Sequence, residues 1–272
     1  MLVLFGHMAY NLKMSLIIYA LLFAIAAVLA MLGKGGGEFY LPILVASGVP
    51  FHQAGTISLF MLTVSGSVMA AVYHRKSLID WTLGTMLILT AGLGSFFGGL
   101  ISVKIPSFYL KLTFSAMLLV SAYFVARPPT QQPRVPKVCE IKRNCCGESY
   151  SISCLVFPVV AFIGFLAGMV GISGGGVIIP LVVILSRMPL RVALATNSLI
   201  VLFSSFSGFI GHGLSQSVPW GKAVPAAASV AVGALIGAHF STRVHISRLK
   251  KLFVFILVFA ALWMLFNALR KV

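Results

Sequence analysis

Two short glycine-rich breaks, each set between apolar runs, constrain this chain more than any other feature. The first is Gly33-Lys34-Gly35-Gly36-Gly37-Glu38-Phe39-Tyr40-Leu41-Pro42, and the second is Gly171-Ile172-Ser173-Gly174-Gly175-Gly176-Val177-Ile178-Ile179-Pro180. Gly33 matches Gly171, Gly36 matches Gly174, Gly37 matches Gly175 and Pro42 matches Pro180, all at one offset. Glycine inside a spanning helix is costly, because it loses the most entropy on folding and exposes backbone. Within a bilayer, such a break persists only where protein covers it or where it lines a cavity. Matched breaks in two halves of a chain point to the binding site of a transporter.

The surrounding sequence supports that setting. Of the 272 residues, 60% are hydrophobic and only 9% are charged, whereas a soluble domain is about a quarter charged. The chain reads as an all-α polytopic membrane protein. Its net charge of +16 does not indicate nucleic acid, because the Lys and Arg residues lie between apolar spans, as they do on the cytoplasmic side of a membrane. Residues 1–14 form an N-terminal extension without the basic start and small-residue cleavage site of a signal peptide. Apolar spans are expected at 15–33, 51–73, 81–102, 106–126, 154–172, 190–212, 220–242 and 248–269, with short runs at 38–47 and 177–186. Ten helical residues rise about 15 Å, half a bilayer core.

Further matches extend the duplication: Pro50 with Pro189, Ala54 with Ala193, Trp81 with Trp220, Gly94 with Gly233 and Gly98 with Gly237. The expected organisation is a first transmembrane repeat at 15–126, a linker at 127–153 and a second transmembrane repeat at 154–272. Matching loops differ in Lys and Arg content, and successive pairs are biased in opposite senses. Arg75 and Lys76 close one span, while His212 to Pro219 holds no Lys or Arg; Lys104 stands alone, while its counterpart loop has Arg243, Arg248, Lys250 and Lys251. Inverted repeats have this property, because matching loops then face opposite compartments. Counting each short run as a crossing places the basic loops and the linker together, on the cytoplasmic side. Were the short runs re-entrant hairpins, the halves would instead be parallel.

Several residues are candidates for the site. Half-helices that begin inside the membrane present unpaired N–H groups and a positive dipole end to an anion, which nominates Gly36, Gly37, Gly174 and Gly175. Tight helix packing is the plainer account of the same glycines. Lys34 and Glu38 are the ionisable residues of the breaks. Lys34 can contact an anion and Glu38 can carry a coupling proton, or the two can simply neutralise each other. Thr56, Ser58, Thr196, Asn197 and Ser198 offer neutral donors, or interhelical hydrogen bonds. His74 and His212 can titrate, although each precedes a Trp and can be an interfacial residue. Cys139, Cys145, Cys146 and Cys154 lack the C-x-x-C spacing of a metal site and are expected as reduced thiols in a cytoplasmic loop. No nucleophile motif, phosphate loop or carboxylate pair is present. Neither an enzyme nor a cofactor is expected.

The pattern Gly33-x-x-Gly36-Gly37-x-x-x-x-Pro42 and its repeat lead to Ala54 to Leu59 and Ala195 to Leu199, then Ser-Gly, His and Trp. In this the chain resembles the sulfite exporter TauE/SafE family over about residues 15–270. The resemblance implies an integral protein of the cell (inner or plasma) membrane that moves sulfite, sulfonate or sulfoacetate-like anions, often outward. It also implies that Gly36, Gly37, Gly174, Gly175, Thr56, Ser58, Asn197 and Ser198 frame the substrate. Lys34, Glu38 and the cysteine-bearing linker depart from the family's usual pattern. The expected function is a secondary transporter of a small sulfur-containing anion, exporting and proton-linked. The alternative is a channel-like or uptake permease for another small anion or sulfur compound. The expected partners are the anion and the lipid bilayer, with no nucleic acid.

Overall fold

Apolar side chains surround most of the helices on every side, so burial is decided by where small residues let backbones approach. The structure is a computed structural model that describes residues 2–126, 139–186, 188–241 and 246–270. In chain order these form α1 (Leu2–Met31), α2 (Gly37–Ala46), α3 (Phe51–Arg75), α4 (Trp81–Ser102), α5 (Ser107–Ala126), β1 (Glu140–Cys145), β2 (Glu148–Ser153), α6 (Val156–Val170), α7 (Gly175–Ser186), α8 (Leu190–Ser215), α9 (Trp220–Phe240) and α10 (Ile246–Leu269). Among the described residues, five stretches are long and apolar enough to cross a membrane: α3, α4, α5, Arg191–Ser215 and α9. Shorter apolar helices are Leu16–Met31, α2, α6 and Val254–Leu269. Leu89, Leu93 and Phe97 of α4 and Phe255, Phe259 and Phe266 of α10 are exposed; a surface of this kind requires lipid.

Glycines make the closest contacts between helices. Gly94 and Gly98 of α4 lie against Ala161 and Phe165 of α6, and Gly164 and Gly168 of α6 lie against Ala91 and Ser95 of α4. The matched pair does the same: Gly233 and Gly237 of α9 lie against the Phe23 and Ala27 carbonyls of α1. Small residues at these steps are what membrane helices use to pack. In both pairs the residue numbers rise together, so the helices run parallel. The central pair runs the other way, because Gly66 of α3 meets Leu202 of α8 and Thr56 meets His212. Matching helices α3 and α8 are therefore antiparallel, and α1 on α9 is echoed by α6 on α4.

The path through each break follows from the same contacts. Gly33 lies against Leu194 near the start of α8, Gly35 accepts from Ser65 in mid-α3, and Gly37 lies against Leu62. The chain thus turns over at the end of α1 and descends without helical structure to the middle of the bundle, where α2 begins. The short run, with its extended lead-in, completes a crossing in the direction opposite to α1. In the second half, Gly171 lies against Gly55 at the start of α3, and Gly175 lies against Asn197 and Val201.

Trp81 and Trp220 are half exposed at opposite ends of the bundle, as interfacial aromatic residues are. Met1, residues 127–138, Arg187 and residues 242–245 lie outside the described residues, so the expectations for the proline-rich part of the linker, for Arg187 and for Arg243 stand there untouched. The end of the linker corrects one expectation. It forms an antiparallel β-hairpin that turns at Cys146-Gly147, both with positive φ, as a tight two-residue turn requires. Strand pairing brings Cys139 and Cys154 to a Cα separation of 5.5 Å, and they are disulfide-bonded rather than reduced; Cys145 and Cys146 remain free.

The hairpin is docked through Asp80. This buried residue caps α4 by accepting from the Leu83 N–H at 3.0 Å, accepts from Arg143 of β1 at 3.0 Å, and accepts from the Tyr150 hydroxyl of β2. Burial alone would raise the Asp80 carboxyl, but the bonds from Tyr150, the Leu83 N–H and Arg143 outweigh it and hold it below its ordinary value. Burial beside these groups pushes the Cys145 thiol up to about 12.

Candidate functional site

The two half-helices supply the core of the site. Gly36 precedes α2 at φ 88°, and Gly174 precedes α7 at φ 68°, a left-handed backbone that a side chain would strain. The Gly36 carbonyl accepts from the N–H groups of Phe39 and Tyr40, and the Gly174 carbonyl accepts from those of Val177 and Ile178. The N–H groups one turn earlier have no partner inside their own helices. Those of Gly175 and Gly176 lie at the positive end of the α7 dipole, and that of Gly176 donates to Glu38.

Lys34 and Glu38 are both buried there, each 7% exposed, and they interact electrostatically. Glu38 accepts a hydrogen bond from the backbone N–H of Gly176. A Cβ at position 176 would lie 1.6 Å from Glu38 Oε1 and 2.5 Å from Ser121 Oγ. One half therefore places a carboxylate on the helix start of the other. Asn197 sits beside Gly175, donates to the Gly33 carbonyl at 3.0 Å, and keeps a buried Oδ1 without a hydrogen-bond partner. Tyr40 lies over Gly36 with its hydroxyl buried and likewise unpartnered. The cavity next to Asn197, bounded by Leu87, Ile178 and Ile200, holds about 10 Å³, roughly the room of a single water. The centre is buried.

The structure gathers some of the sequence candidates at this centre and disperses others. Lys34, Glu38, Gly36, Gly174, Gly175 and Asn197 lie around the two helix starts. Gly37 instead packs on Leu62. Ser58 is buried with an unpartnered hydroxyl, and Ser198 bonds the Ala195 carbonyl in its own helix. Thr196 accepts from the Asp80 N–H at 3.2 Å and so belongs to the hairpin anchorage.

Thr56 belongs to a cluster at the opposite end. It contacts His212 Nδ1 at 3.3 Å, bonds the His52 carbonyl, and accepts from Gln216, whose side chain also donates to His52 O. His212 is buried and donates from Nε2 to the Gly168 carbonyl at 2.8 Å. That bond ties α8 to α6 just before the second break. His74 is exposed and stacks edge-on against Trp81 with ring centroids 5.3 Å apart, away from the breaks. The two histidines therefore hold different positions, although their places in the sequence correspond.

Sequence reading missed Ser121, Tyr40 and the partnership of Gly176 with Glu38. Ser121 is one hydroxyl on an apolar helix, and no spacing marks it. Gly176 could have been noticed, because it is the residue that matches Glu38 under the duplication.

Comparison with known proteins agrees with this architecture. The chain is 27% identical over 250 residues to the probable membrane transporter protein YunE of Bacillus subtilis, covering 85% of this chain and 90% of that one. It is 24% identical over 245 residues to a probable membrane transporter protein of Xylella fastidiosa, covering 88% and 90%. It is 29% identical over 193 residues to the probable membrane transporter protein MJ0441 of Methanocaldococcus jannaschii, covering 67% and 66%. No solved structure matches the chain. Residues 18–264 match the family described as Sulfite exporter TauE/SafE, and with its paired breaks, polytopic helices and membrane-transporter relatives, the chain belongs to that family.

Proposed function

We propose that this membrane transporter carries a small sulfur-containing anion, sulfite or a short sulfonate, outward in a proton-linked cycle. The observation that carries the reading is the convergence of a buried Lys34 with the α7 helix start at mid-bundle. A cation and oriented N–H groups in a site without bulk water favour an anion, and neutral donors allow its release. The family description supports the sulfur class. We take the halves to be inverted repeats, in keeping with the antiparallel α3 and α8. Rocking one half against the other then exposes the buried centre to each side in turn. We assign the face bearing the β-hairpin to the cytoplasm on its surplus of Lys and Arg. In that compartment the Cys139–Cys154 bond would be open to reduction.

Reconstituted vesicles test the reading. Efflux of radiolabelled sulfite or methanesulfonate should depend on the protein and on an imposed pH gradient. Conductance far above a transporter's turnover, or flux indifferent to the gradient, would favour the channel-like alternative. Topology is checked with Ser77→Cys and Ser217→Cys, both exposed positions, in a background with Cys145 and Cys146 changed to Ser. An impermeant thiol reagent should reach the two from opposite sides.

A further inference from the structure

We propose that the substrate's seat is the start of α7, made by the Gly176 N–H and the Ser121 hydroxyl, and that Glu38 fills it with its own carboxylate while the transporter is empty. The inference rests on the reading of the protein as an anion transporter. It names where the anion sits and what it must displace.

Three observations meet at one point. Glu38 Oε1 accepts from the Gly176 N–H, so a carboxylate already occupies the helix start. The space it fills exists because position 176 has no side chain: a Cβ there would lie 1.6 Å from that oxygen. Ser121 Oγ lies 2.5 Å from the same Cβ point, is 1% exposed and has no hydrogen-bond partner. A buried hydroxyl aimed at a helix start and left without a partner is costly, and an incoming oxoanion would engage it. The second oxygen, Glu38 Oε2, also has no hydrogen-bond partner. The carboxylate thus satisfies the seat only in part. A pyramidal oxoanion with three oxygens can accept from Gly176, accept from Ser121 and lie beside the Lys34 charge.

Glu38 is tethered and stays in the bundle, so charge balances when the displaced carboxylate takes up one proton as the anion arrives. One anion replaces another next to Lys34, so the buried cation is never left alone, which would be the costly state. Glu38 acts as a tethered stand-in for the substrate. It keeps the empty site closed and is released when the anion arrives.

The test uses the full-length protein in detergent, with sulfite, methanesulfonate, acetate and chloride as probes at matched ionic strength set with gluconate. Glu38→Ala should melt below the unaltered protein in gluconate and recover its stability when a small oxoanion is added. Its apparent affinity for sulfite should be about tenfold tighter, because binding no longer has to displace an occupant that keeps the competent state near one-tenth populated. Glu38→Gln should fall between the two, and it carries the same measurement if the Ala variant does not fold. Adding Ser121→Ala to Glu38→Ala should remove part of the gain.

Affinity in Glu38→Ala and Glu38→Gln equal to or weaker than that of the unaltered protein would overturn the proposal. So would a Glu38→Ala protein that no anion stabilises, even if the unaltered protein exports sulfite in vesicles. Rescue by acetate or chloride but not by sulfite or methanesulfonate would leave the seat standing and overturn the sulfur-anion reading instead.

Discussion

The two glycine breaks share a backbone and differ in what that backbone holds. Both begin at a glycine with positive φ, both start a short helix in mid-bundle, and both place a proline within that helix. The first carries Lys34 and Glu38, whereas the second has Ile172 and Gly176 at the matching places. The structure gives this difference a reason. Glu38 and Gly176 correspond under the duplication, and they touch. The contact requires one of the two matching positions to lack a side chain, because a Cβ at position 176 would fall 1.6 Å from Glu38 Oε1. Two carboxylates would repel and resist ionisation together. A symmetric scaffold therefore contains an asymmetric centre, in which one copy supplies charge and the other supplies space and N–H donors.

Filling the space is the most direct way to break this comparison. Gly176→Ala should reduce flux on the order of 100-fold, as misplacement of a positioned group by about 1 Å can do. Moving the charge across, with Glu38→Gly and Gly176→Glu together, should restore a measurable part of it. Vesicle flux for the single and the double change reads both. Equal flux in Gly176→Ala would mean that Glu38 does not sit where the two halves meet.

The next effect is on stability. Lys34→Met and Glu38→Gln each leave one member of a buried, interacting pair, and each should cost about 3–5 kcal/mol. The double change should recover most of the loss in a thermal melt while flux stays absent. Recovery of flux along with stability would show that the pair serves only to neutralise itself.

A smaller effect is expected where the ends of the bundle differ. Asp80 caps α4 and holds the hairpin at one end, and at the other a polar cluster of Thr56, Gln216 and His212 ties α3, α6 and α8. Asp80→Asn should destabilise by about 1–2 kcal/mol through its cap and charged hydrogen bonds. Because its folded pKa is depressed, Asp80 contributes stability above its ordinary value of 3.8, and the contribution is lost as pH falls below that value. Unfolding in denaturant at neutral and acid pH should show a step that Asp80→Asn removes.

The last contrast separates the two histidines, of which His74 carries the smallest effect expected of any change. His212→Ala leaves the Gly168 carbonyl without its partner and should cost about 1–3 kcal/mol. His74→Ala, at an exposed site, should stay within about 0.5 kcal/mol. A melt of each variant, with flux as the second readout, checks the contrast.

Much of the architecture was legible in the residues. The apolar runs set the spans, and the two sets of glycines set the breaks, because lipid leaves few options for unpaired backbone. The contrast in Lys and Arg between matching loops led to the expectation of inverted halves, and the contacts show α3 and α8 antiparallel. The site was legible only in outline. Lys34, Glu38 and Asn197 stood out as polar residues in apolar surroundings, a signal any membrane segment would give. Thr56 gave the same signal and sits with His212 instead, while Thr196 both accepts from the Asp80 N–H and lines the small cavity beside Asn197.

What the sequence determined by itself is where the apolar helices and the glycine breaks fall, because hydropathy and backbone chemistry act residue by residue. What only the tertiary structure decided is which polar groups meet. Ser121 lies far along the chain from both breaks, yet α5 brings it to Gly176. The Cys139–Cys154 bond depends on a strand pairing that places the two residues together. Contacts of this kind depend on how helices cross and on where a missing side chain leaves room, and that is a property of the packed bundle rather than of any one stretch of sequence.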